Sequence, residues 1–154
     1  MKTVEWPLLA AGGALVAGAV VHVAALAGGA RWLALLGAPP AVVASSIQGT
    51  WLAPVGTLII AGVLIIFALY CLSAAGRFAR LPAVKLVLAV FAALLIARGL
   101  LALPFLLWDQ HQWVTPIGRF VANGPFFAVG SLFVLVIGTA IATGIAFSIR
   151  HSRR

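Results

Sequence analysis

The stretch PAVKLVLAVFAALLIARGLLALPFLL, Pro82 to Leu107, is apolar throughout except for Lys85 near its start and Arg98 further in. As a helix it is long enough to cross a hydrocarbon core of about 30 Å. A guanidinium at that depth is costly unless something meets it. The chain contains only two acidic residues, Glu5 and Asp109, and both lie at the ends of apolar runs. Two questions follow from this one segment: what solvent surrounds it, and what anion Arg98 meets.

Composition answers the first. Of 154 residues, 64% are hydrophobic and only 8% are charged, against roughly 25% charged in soluble domains. A water-facing surface could not be covered, so the solvent is lipid. Three further apolar runs, about 7–29, 54–75 and 125–149, match the first in length, and each of the four opens near a proline, where a missing N–H costs little. The expected fold is all-α: an integral membrane four-helix bundle forming a single domain over 1–154. The outer first loop, Trp32 to Ala53, holds apolar pieces too short to cross and a Pro39-Pro40 pair, which predicts short interfacial helices, with a re-entrant hairpin as the alternative.

Charge orients the spans. Lys2, Arg77, Arg80, Lys85, Arg150, Arg153 and Arg154 fall on one side and only Arg31 and Arg119 on the other, which places both termini in the cytoplasm. Trp32, Trp51, Trp108 and Trp113 mark the outer boundary and Trp6 the inner one. A cleaved signal peptide is the rival reading of the first run, but the run exceeds an h-region and Glu5 is foreign to a basic n-region. The formal charge of +8 does not point to nucleic acid, because the basic residues sit at helix ends rather than in a patch with stacking aromatics.

In lipid, small residues mark the faces where backbones approach. On that basis Ala10, Ala14, Gly18 and His22 form the packing stripe of the first span; Thr57, Ala61, Ala68 and Ala75 that of the second; and Ser131, Gly138 and Ala142 that of the fourth. The third divides by size, with Ala89, Ala92, Ala93 and Gly99 opposite Val87, Phe91, Leu94, Arg98 and Phe105. This leaves Arg98 facing either lipid, a partner or an internal cleft. Arg98 lies about 15 Å below Trp108 and His22 about 13 Å below Arg31. A binding layer of Arg98, His22, Thr57 and Ser131 is therefore allowed.

Catalytic constellations are missing from the pattern. Cys71 is the lone cysteine, which excludes an internal disulfide, a CxxC pair and a thiolate zinc site. His111 and His151 fall outside the spans, so two intramembrane haem ligands are lacking, and no span carries the carboxylate that proton-coupled transport uses. Neither Ser131 nor Cys71 has a base at similar depth. The sequence implies no cofactor and no metal. The expected function is a small non-enzymatic accessory or binding protein in which Arg98 meets an anionic lipid, a ligand or a partner carboxylate, with His22 structural. The alternative is a small carrier or binder of an amphipathic molecule, lipid or quinone, near His22 and Arg98. Its expected partners are membrane lipid and either a partner membrane protein or a second copy of the chain, with no nucleic acid.

The segments GTWLAPVGT (Gly49 to Thr57), LYCLSAAG (Leu69 to Gly76) and Ala97-Arg98-Gly99 resemble those of small uncharacterised four-helix bacterial inner-membrane proteins. The resemblance covers about the first 110 residues. It implies a bacterial inner-membrane placement and brings no activity with it.

The charge asymmetry makes a direct prediction. Reporter fusions after Gly76 and after Arg154 read cytoplasmic and one after Gln48 reads external; an external reading at Arg154 would overturn the orientation.

Overall fold

A computed structural model describes residues 5–100, 102–103, 112–115, 118–121 and 124–152. Its long elements are all helical: α1 (Trp6–Gly28), α2 (Ala30–Leu35), α3 (Pro40–Gln48), α4 (Leu52–Ala74), α5 (Val84–Leu100) and α6 (Gly124–Ser152). Three of them, α1, α4 and α6 over Phe127–Ser148, are long and apolar enough to cross a membrane. In lipid a helix is the one open segment that satisfies its own backbone, which is why uninterrupted apolar runs adopt it. The described part of α5 is 17 residues, about 26 Å. The expected end of the third span, from Pro104 on, lies outside the described residues together with Phe105, Trp108, Asp109 and His111.

One addition to the helical reading is a short antiparallel hairpin, β1 (Gln112–Thr115) with β2 (Gly118–Val121), in register Thr115 to Gly118. Val114, Thr115, Phe120 and Val121 are strand-forming residues flanking Pro116-Ile117, a weak signal over so few positions.

The helices run antiparallel in sequence order. α1 packs extensively along α4 and α5 along α6, while α1 also meets α6 and α4 meets α5. One shared core draws on all four: Leu8, Ala11 and Leu15 of α1, Ala68 and Cys71 of α4, Leu88, Phe91 and Ala92 of α5, and Ile137, Ile141 and Ile145 of α6. All of these lie in the half nearer the α4–α5 turn. That turn is fastened by a glycine-ended helix stop. Gly76 sits at φ 70° and its N–H donates to the Ser73 carbonyl, while the Arg77 N–H donates to that of Leu72 at 2.8 Å. The Ser73 hydroxyl donates to the Ala79 carbonyl and accepts from the Leu81 N–H, strapping the turn back onto α4. Arg77 also reaches Glu5 at 3.8 Å, a half-exposed pair that adds little.

At the other end, α2 and α3 are two short helices, as the first loop predicts, and Leu33 packs with Ala25 of α1 and Ala53 of α4. Buried Ser45 organises this connector: its hydroxyl donates to the Thr50 carbonyl, and accepts from the Thr50 hydroxyl at 2.7 Å and from the Ala53 N–H at 2.9 Å. The last of these supplies a partner to one of the N–H groups left open at the start of α4.

Two packing expectations are corrected. The buried stripe of α1 is Leu8, Ala11, Gly12, Leu15 and Ala19, not Ala10, Ala14, Gly18 and His22; Ala10 is exposed and the other three sit at the edge of the contact. α5 does not divide by side-chain size: Ala89 and Ala93 are exposed, whereas bulky Phe91 is buried and stacks on Phe67 of α4 with ring centroids 3.5 Å apart. The small residues of α5 that do pack inward are Ala92 and Gly99.

The α5–α6 contact depends on two glycines. A Cβ on Gly99 would come within 2.7 Å of Leu135 Cβ and 3.0 Å of the Ser131 carbonyl oxygen; one on Gly138 would lie 2.9 Å from Ile96 and 3.1 Å from the Ala92 carbonyl oxygen. The backbones thus approach too closely for any side chain there. Gly138→Val is expected to cost about 1–3 kcal/mol by overpacking, measured by unfolding in detergent. Gly130→Val, where a Cβ meets nothing, is the control and should cost far less.

Candidate functional site

The close α5–α6 crossing places Arg98 beside α6. Its Nη1–H donates to Ser131 Oγ at 3.1 Å, and its guanidinium carbon lies 5.0 Å from the centre of the Phe127 ring. Ser131 and Phe127 are four residues apart, hence neighbours on one face of α6. Ser131 is 1% exposed while Arg98 itself is exposed, so the guanidinium is anchored from one side and open on the other. Phe127 lies about 6 Å nearer the start of α6 than Ser131, so the cation is directed toward the connector end. The ring's negative face favours the cation by about 0.5–2 kcal/mol, and the neutral hydroxyl orients it. Neither neutralises its charge.

Glu5, the one carboxylate among the described residues, is at the far end and is engaged by Arg77. Asp109 falls outside the described residues.

The other members of the expected layer are placed differently. His22 donates its Nδ1–H to the Gly18 carbonyl at 2.8 Å, one turn back in its own helix, rather than to a neighbouring helix. Because a carbonyl oxygen can only accept, Nδ1 carries the proton of this bond. Thr57 is buried on α4, on the face that carries Ala61 and Ala68. Thus Arg98 and Ser131 are brought together, and among the described residues no hydrogen bond links either to His22 or Thr57. Nor do any three of the described His, Cys, Asp and Glu residues gather to hold a metal ion.

Phe127 is the site residue that sequence reasoning missed. Its position one turn before Ser131 is a sequence signal only once the face of α6 that meets α5 is known.

No protein-family model, no curated protein and no solved structure matches the chain. The chemistry of the site therefore rests on its own geometry: a fixed guanidinium, a hydroxyl and an aromatic face, suited to holding an anion and lacking any nucleophile–base pair.

Because the bond made by His22 lies within one helix, His22→Ala should cost no more than about 1 kcal/mol on unfolding in detergent. A loss above about 3 kcal/mol would instead reveal a buried partner on another helix.

Proposed function

We propose that this chain is a four-crossing, non-enzymatic binding protein of the bacterial inner membrane, with both ends cytoplasmic and α2 and α3 at the outer interface. On this reading α5 is the fourth crossing. It lies between α4 and α6 and its apolar sequence continues to Leu107. The function of the protein is to bind an anion at Arg98, carried by a lipid, a ligand or a partner protein.

The observation that supports this reading is the state of Arg98. Its contacts among the described residues are a hydroxyl and an aromatic ring, both neutral, and the side chain is exposed. Up to four of a guanidinium's five N–H donors are then free for a ligand. A cation at that depth, held in place yet uncompensated among the described residues, favours whatever anion the membrane supplies. The enzymatic alternative has no comparable support, because Ser131 Oγ faces a cation rather than a base and Cys71 is sealed in the apolar core.

Detergent extraction and native mass spectrometry test it. The wild-type protein should retain a stoichiometric anionic lipid, ligand or partner, and Arg98→Leu should lose it. The same variant should fold at least as stably, since the charge it removes costs about 2.5–3.5 kcal/mol at helix centre. Arg98→Lys should recover retention in part, lacking the bidentate fork. Unchanged retention in Arg98→Leu would contradict the assignment.

A further inference from the structure

The seam between α4 and α5 is closed at one level and open at the next. Phe67 of α4 and Phe91 of α5 stack across it, 3° from parallel. The helices are antiparallel, so one heptad toward the connector end the facing positions are Ile60 on α4 and Arg98 on α5, each within about 20° of the phenylalanine it follows and about 10 Å further along. If the seam stayed closed these two would be buried like Phe91, which is 7% exposed. Instead Ile60 is 48% exposed and Arg98 is exposed too. The flanking positions, Val63 on α4 and Leu94 on α5, are also exposed. The shared core explains the divergence, because its residues on both helices lie toward the α4–α5 turn.

These exposed positions form an apolar strip along the seam, with the Phe67–Phe91 stack at one end and Arg98, held by Ser131 and Phe127, at the other. The strip's composition matches an acyl chain below and an acidic headgroup above. We propose that this strip is a groove for one anionic phospholipid, with its phosphate on Arg98 and one acyl chain lying between Ile60 and Leu94 down to the Phe67–Phe91 stack. The proposal rests on the anion-binding reading of Arg98 and adds the identity of the anion's carrier. The apolar length beside Arg98 favours a lipid over a soluble anion, since Ile60, Val63 and Leu94 offer an acyl chain cover that a small soluble anion would not use. A phosphate also takes two parallel N–H donors from one arginine.

The test compares phosphatidylglycerol with phosphatidylcholine by native mass spectrometry on the full-length chain in detergent. Wild type should retain one phosphatidylglycerol in preference to phosphatidylcholine. Ile60→Trp and Leu94→Trp fill the groove from opposite walls while keeping the Arg98 charge, and each should weaken retention about tenfold, as should Arg98→Leu. Loss in Arg98→Leu with full retention in both tryptophan variants would overturn the groove and leave the anion site standing. Retention unchanged in all three would overturn both. A co-purified protein in place of lipid would overturn the groove alone.

A measurement on the wild type needs no variant to fold: phosphatidylglycerol spin-labelled on one acyl chain should broaden the methyl NMR signals of Ile60 and Leu94 more than those of Val129 on α6. Equal broadening at all three would also overturn the groove.

Discussion

A positive charge held inside an apolar helix is the constraint on which the candidate site depends. A guanidinium among apolar side chains is costly unless other groups meet it, so what surrounds Arg98 matters. Backbone proximity sets those surroundings: Gly99 and Gly138 let α5 and α6 approach until no Cβ fits between them. At that spacing Arg98 reaches Ser131 Oγ and lies over Phe127. Among the described residues its two partners are neutral, so they give the cation direction and no counter-charge. On the proposed reading, an anion completes the site.

The same asymmetry appears in the packing. All four long helices contribute to one core near the α4–α5 turn, built from Leu8, Leu15, Cys71, Leu88, Phe91 and Ile141. Further out, α1 stays with α4 and α5 with α6, and two positions a heptad beyond core residues lose cover. Leu15 is buried whereas His22, seven residues on, is half-buried; Phe91 is buried whereas Arg98 is exposed. A tight end fixes the helices and a looser end presents the cation. The Ser45 hydroxyl, bonded to Thr50 and to the Ala53 N–H, holds the connector over that looser end.

Much of the architecture was legible because lipid imposes a length on each apolar run. The runs at 7–29 and 54–75 correspond to α1 and α4 within two residues at each boundary, and the first loop does contain two short helices. The inward face of α1 was not legible, for a physical reason. In water the packing face is the apolar one, but here every face of α1 is apolar, and small residues recur in two overlapping registers, Ala10-Ala14-Gly18 and Ala11-Gly12-Ala19. Long-range packing, not local pattern, chose between them. The same limit hid the burial of Phe91, which depends on Phe67 of another helix, and the hydrogen bond of His22, whose own backbone outcompeted any neighbour. Arg98 and Ser131 were placed in one layer by depth alone. Phe127 required knowing which face of α6 meets α5.

The most direct test of the account is the distance from the Arg98 guanidinium to its counter-ion in a bilayer. Solid-state NMR on protein with labelled arginine side chains, in phosphatidylglycerol-containing membranes, reads dipolar coupling from the Arg98 guanidinium to lipid phosphorus, with Arg98→Lys identifying the signal. The account predicts a coupling that corresponds to direct hydrogen bonding, about 4 Å from guanidinium carbon to phosphorus. A guanidinium coupled instead to a carboxylate carbon of Asp109, with no phosphorus nearby, would contradict it.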